Sequence, residues 1–275
     1  MSCSPYAPYA RMSQQVYRNN GGAPPPGFIT ASYNKNNSNG FQGAAYYNPT
    51  SGELVVAFAG TDPLDGNDWW NDFQIGLSNI PPQFTSARDF YQAAVAAVGN
   101  PASITITGHS LGGALAQLVA ARAINDGAAA GPLPQAVTFN APGVQSIAAA
   151  NPGMEIDPNR DYPNITNISN YWDPVSRWDA PLGSSQRTPG GEMDPWAGPF
   201  LLVPFTLSMA TGLGQLGRFL YDQHSIDAVM ARLCKPSLPN TWDLEFPQQF
   251  ADAKRWVWPR DPILLDLDGD GLETV

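Results

Sequence analysis

The sequence predicts an α/β fold, a mainly parallel central sheet with helices on both faces, and three observations predict it. Short β-rich runs recur at Glu53–Ala59, Ser103–Thr107, Gln135–Asn140 and Ile165–Asn170. Helical stretches at Thr85–Val98 and Ala114–Asp126 separate the first three of these runs, and strands that alternate with helices read as a parallel sheet covered on both sides. A Gly-x-Ser-x-Gly turn, Gly108-His109-Ser110-Leu111-Gly112, stands between a strand and a helix.

In chain order, residues 1–42 are polar and irregular, with a Pro/Gly stretch at Ala23–Gly27 and an Asn-rich stretch at Asn34–Asn39. They read as an N-terminal polar extension holding one short helix around Ala10–Arg18. Met1–Val16 has no apolar run behind a basic start, so it does not read as a Sec-type leader. Gly43–Tyr47 and Glu53–Ala59 read as strands around the turn Asn48–Gly52. Thr85–Val98 is amphipathic, Ser86 and Asp89 have capping-box spacing, and Gly99-Asn100-Pro101 ends the helix. Ala114–Asp126 is strongly helical, with Gly127 as its C-cap. Phe200–Tyr221 is apolar and close to a membrane span in length, but Pro204, three glycines and Arg218 weaken that reading. The main domain is expected to run over 43–260. From Asp261 the composition changes to an acidic segment that reads as the start of a truncated region.

Composition bounds the chemistry. The 275 residues are 43% hydrophobic, enough to fill a core, and the net charge of -10 repels phosphate backbones, so nucleic acid is not an expected partner. With two cysteines and two histidines, Cys/His metal sites are excluded by count. Cys3 and Cys234 could pair or stay as thiols; two cysteines do not fix the compartment.

The Gly-x-Ser-x-Gly turn needs small residues where backbones approach, at Gly108 and Gly112. It lifts the Ser110 hydroxyl above the C-terminal edge of the sheet and aims the Leu111 N–H at a developing oxyanion. A serine hydroxyl needs a base. His109 adjoins Ser110, and in such a turn its side chain points into the sheet, which suits a packed, hydrogen-bonded histidine. His224 is then the base. The orienting acid should lie between Ser110 and His224. Asp126, Asp157, Asp161, Asp179 and Asp194 qualify by position, but Asp173 alone follows a predicted strand, Ile165–Asn170, with Pro174 making the turn. The second oxyanion donor is expected from the loop after Leu54–Ala59, at the Thr61 N–H. Together these residues point to a serine hydrolase.

Val55–Thr61, Asp68-Trp69-Trp70-Asn71-Asp72, Gly108–Gly113, Asp173-Pro174-Val175 and His224 stand in the order of the class 3, fungal-type lipases, which the chain resembles from Gly43 to Ala231. It departs from many members at Ala59, where they carry Arg. The resemblance implies an α/β-hydrolase fold with a lid segment and hydrolysis of lipid carboxylic esters without a cofactor. The lid would fall at Asp68–Ile80, where Trp69, Trp70 and Phe73 either meet a lipid interface, in transient contact with a membrane, or pack in the core. Phe200–Tyr221 either walls an acyl-chain pocket, forms a second lid or is a buried helix. Triacylglycerol and phospholipid esters both remain open as substrates. A soluble-ester esterase and a catalytically silent interaction module of a larger secreted protein are the rivals. Protein partners are not indicated.

At the end of the chain Asp266, Asp268 and Asp270 alternate before Gly271 in a pattern that suits Ca²⁺, but the loop's twelfth-position ligand would lie past Val275, so any binding there is expected to be weak. This tail resembles a segment of large secreted or surface bacterial proteins, which implies secretion, or export by a route that needs no signal peptide; a cytoplasmic location stays open.

Overall fold

The computed structural model describes residues 3–36, 38–60, 69–127, 131–171, 173–188 and 223–234. All of them fall within one unit, Met1–Pro239. Seven strands form one sheet in sequential order: β1 (Ile29–Asn36), β2 (Phe41–Asn48), β3 (Glu53–Phe58), β4 (Ser103–His109), β5 (Gln135–Phe139), β6 (Ile165–Ser169) and β7 (Ser184–Arg187). β1, β2 and β3 pair antiparallel, and every pair from β3 to β7 is parallel. Helices make the crossovers: α2 (Trp69–Val98) joins β3 to β4, α3 (Leu111–Asn125) joins β4 to β5, and α4 (Gln145–Ala150) lies between β5 and β6. Among the described residues the other α-helices are α1 (Ala7–Gln15) and α5 (Ile226–Cys234).

The period-two alternation of a strand assigns its residues to two cores. Leu54, Val56 and Phe58 of β3, with Ile104 and Ile106 of β4, pack with residues of α2 and α3. Val55 and Ala57 face the other way and pack with Met12 and Val16 of the N-terminal segment. Val137 and Phe139 of β5 meet Ala10 of α1 and Val229 and Leu233 of α5. Both faces are therefore covered, which is why the central strands are apolar at nearly every position. α3 is buried along Leu111–Ala121, so its sequence is apolar all round rather than striped.

Two expectations are corrected. Residues 1–42, read as an extension, supply α1 and β1 to the domain itself. β1 escaped notice because it is an edge strand whose residues are exposed or half-buried, so no apolar alternation marks it. β7, the opposite edge strand, whose four residues are all exposed, is the same case. The second correction is α2. It begins at Trp69 and runs unbroken through Pro81 and Pro82, so Ser86 caps nothing; its hydroxyl accepts a hydrogen bond from Asn39 Nδ2 at 2.9 Å. Cys3 and Cys234 form a disulfide, and beside it the Ser4 N–H donates to Leu233 O at 2.8 Å.

Candidate active site

Ser110 sits at the C-terminal end of β4 with φ 57° and ψ -130°, a conformation that non-glycine residues rarely adopt. The surroundings enforce it. The Ser110 N–H donates to Phe139 O at 3.0 Å, and its carbonyl accepts from the N–H groups of Gly113 (2.9 Å) and Ala114 (3.2 Å), the first turn of α3. A Cβ at Gly108 would overlap the backbone of Gly112, and one at Gly112 would overlap Phe58 O. The two glycines of the motif thus let strand, turn and helix close onto β3.

His224, just ahead of α5, and Asp173, in the turn after β6, meet Ser110 there. His224 Nε2 lies 2.8 Å from Ser110 Oγ, and its Nδ1 lies 2.8 Å from Asp173 Oδ1. Asp173 is 0% exposed, and its carboxylate accepts the N–H of Val175 (3.3 Å) and of Ser176 (2.9 Å) across the turn that Pro174 makes. A carboxylate only accepts, so Nδ1 of His224 carries its proton and Nε2 is left to accept the serine hydroxyl proton. The row can move a proton from Ser110 to His224 while Asp173 holds the ring. Within that turn Val175 is buried, whereas Trp178 has 43% of its surface exposed.

His109 is buried, as expected of a histidine pointing into the sheet, and it also touches the segment that carries His224. Its Nε2–H donates to the His224 carbonyl at 2.6 Å, and the two rings are 4.7 Å apart. Burial, then repulsion from His224, pushes its pKa down to about 3, so it stays neutral.

Of the expected oxyanion donors, Leu111 opens α3 directly after Ser110. Thr61 lies outside the described residues, but Gly60 before it is described, and a Cβ on Gly60 would stand 3.1 Å from the Leu111 nitrogen. The loop therefore reaches the start of α3. The Gly60 N–H donates to the Tyr17 hydroxyl at 2.9 Å. Tyr17 was not found from sequence, since no spacing rule ties an aromatic residue in an irregular segment to a loop 43 positions on. Arg187, at the end of β7, was also missed; its Nη1 donates to Asn170 O (3.2 Å) and to Ser176 Oγ (3.4 Å), which places a cation behind the Asp173 turn.

The side chains of Trp69, Trp70 and Phe73 lie outside the described set, as do Phe200–Tyr221 and Asp266, Asp268 and Asp270. Among the described residues no cluster of acidic, His or Cys side chains suits a metal ion, and no helix is long and apolar enough to cross a membrane.

Residues 8–180 match the Tle-like phospholipase domain, described as phospholipase-like. No curated protein matches. Among solved structures, the Lip2 lipase from Yarrowia lipolytica aligns at 15% identity and a TM-score of 0.46, covering 66% of this chain and 77% of that one. A triacylglycerol lipase from Penicillium expansum aligns at 16% identity and a TM-score of 0.44, covering 67% and 78%.

Proposed function

The chain belongs to the Tle-like phospholipase domain family, and from that membership we propose that it hydrolyses carboxylic ester bonds of lipids, glycerophospholipids foremost, through an acyl-enzyme on Ser110. The observation that carries the reading is the continuous row Ser110–His224–Asp173, two bonds of 2.8 Å ending on a carboxylate with no exposed surface. His224 Nε2 takes the Ser110 proton as Oγ attacks the ester carbonyl, and Asp173 keeps the ring in the tautomer that can do so. The tetrahedral oxyanion is held by the N–H groups of Leu111 and Thr61. His224 returns the proton to the leaving alcohol, and water repeats the sequence on the acyl-enzyme. No step calls for a metal ion or cofactor.

On this reading the start of α2, with Trp69, Trp70 and Phe73, covers the site and meets the lipid surface. We also propose that the protein works outside the cytosol. The Cys3–Cys234 disulfide supports that location, because such bonds persist in oxidising compartments.

The test is a substrate panel on the purified protein: short and long p-nitrophenyl esters, triolein and labelled phosphatidylcholine. The expected result is fatty acid release from phosphatidylcholine that Ser110→Ala abolishes. Turnover of triolein alone would move the substrate class to triacylglycerols. Activity confined to short soluble esters would overturn the lipid reading.

A further inference from the structure

Three neighbouring parallel strands each end on a polar side chain aimed at one spot. His109 closes β4, Asn140 follows the last residue of β5, and Asn170 follows the last residue of β6. All three side chains are buried, the two asparagines completely. They converge on two successive carbonyls, those of Gln223 and His224. Asn170 Nδ2 donates to Gln223 O at 2.7 Å, Asn140 Nδ2 lies 3.1 Å from Gln223 O and 2.9 Å from His224 O, and His109 Nε2 lies 2.6 Å from His224 O.

The amide orientations are fixed by the opposite ends of the same side chains. Asn140 Oδ1 accepts the Asn170 N–H at 2.8 Å, and Asn170 Oδ1 accepts the Thr188 hydroxyl at 2.9 Å. Each oxygen meets a donor, so each Nδ2 must face the carbonyls. Asn140 itself has φ 46°, a left-handed backbone that asparagine tolerates better than most residues.

We propose that Asn140 and Asn170, with His109, are positioning residues that hold the base by its main chain. This rests on the proposed roles of Ser110, His224 and Asp173. Two bonds to an imidazole fix its ring only if the backbone carrying it is also fixed. The clamp ties that backbone to the ends of β4, β5 and β6, the same sheet edge that carries Ser110 and, just past β6, Asp173. Nucleophile, base and acid thus share one rigid frame, and a displacement of about 1 Å at the base is enough to lower turnover by roughly 10²-fold.

The experiment compares Asn140→Gly, which takes the same φ freely but lacks the amide, with Asn140→Asp, which keeps the acceptor for Asn170 N–H and loses the donor. His109→Phe, which removes the third donor, is set against His109→Gln, which restores one. Turnover of p-nitrophenyl butyrate and the labelling rate of Ser110 by an alkyl fluorophosphonate are followed together with Tm. The proposal expects kcat and labelling to fall together by about 10- to 100-fold with KM within about two-fold, in protein that is still folded at the assay temperature, and His109→Gln to recover most of what His109→Phe loses. Wild-type kcat in Asn140→Gly and Asn140→Asp, or a lowered Tm with kcat intact, would overturn it. The downfield NMR resonance of the His224 Nδ1 proton reads the clamp without any substrate. If wild-type protein neither labels nor turns over, the serine-hydrolase reading fails, while an unchanged resonance in Asn140→Gly would mean that the clamp fails.

Discussion

Ser110 holds its hydroxyl out on a strained backbone, and neighbouring groups, rather than the serine's own preference, keep it there. On the proposed mechanism the three side chains act as a unit. Ser110→Ala or His224→Ala should each lower kcat by about 10⁴-fold or more, and the double variant should be little worse than either. Asp173→Asn should approach the same loss, because an amide can donate to Nδ1 and so stabilise the tautomer that cannot take the serine proton. Single-turnover kinetics check this, and near-normal turnover in His224→Ala would remove His224 from the role of base. His109 leads to a stability prediction. Its pKa is about 3 in the folded protein against an ordinary 6.5, so the unfolded chain binds the proton first as the pH drops. The stability contribution of neutral His109 is whole above about 6.5 and is lost as the pH falls towards 3, at a slope of up to about 1.4 kcal/mol per unit. Urea unfolding of wild type and His109→Gln at pH 7 and pH 5 tests this: wild type should lose more stability between the two. Equal losses would mean that His109 charges freely in place.

The elements differ in how openly the sequence declares them. β3 to β6 were legible because burial on both faces makes them apolar runs, and the serine turn was legible because only glycines fit at 108 and 112. β1 and β7 were not, since an edge strand at the surface has no pattern that burial would impose. Tyr17 and the asparagines at 140 and 170 were equally hidden, because their roles arise from a fold that brings together residues far apart in sequence. The start of α2 lies between these cases. Its helical backbone from Trp69 is described, whereas its work as a lid is a proposal. If it covers Ser110 and opens at a lipid surface, activity on a long-chain ester should rise steeply once the substrate passes its solubility limit; a smooth hyperbola through that limit rejects the lid. The loop after β3, the proposed source of an oxyanion donor, offers a sharper test. Tyr17→Phe removes the acceptor of the Gly60 N–H and leaves the packing. It should lower kcat by about 10-fold with KM little changed, since a donor that meets the oxyanion is felt mainly in the transition state. A change in KM alone would place Tyr17 in substrate binding instead.

At the largest scale, the unit Met1–Pro239 is closed by a covalent link between its two ends. The Cys3–Cys234 disulfide joins residues 231 positions apart, so it removes much conformational freedom from the unfolded chain and should contribute about 2–5 kcal/mol to stability. It also ties the N-terminal segment to α5, the helix that begins two residues after His224. That position invites the view that reduction would release His224 and stop turnover. The contacts argue otherwise. Ala10 of α1 packs with Val229 and Leu233 of α5, Gln14 Nε2 donates to Asp227 Oδ1 at 2.5 Å, and the carbonyls of Gln223 and His224 are held from the sheet edge by Asn140, Asn170 and His109. None of these contacts needs the sulfur bridge. The paired variant Cys3→Ser with Cys234→Ser should therefore unfold at a Tm lower by roughly 4–20 °C, given the 2–4 °C that each kcal/mol moves a domain of this size. At 25 °C its turnover should stay within about two-fold of wild type. Differential scanning calorimetry and ester hydrolysis on the same samples separate the two effects. A collapse of kcat at 25 °C in the still-folded variant would show that the disulfide, and not the polar clamp, holds His224 in place.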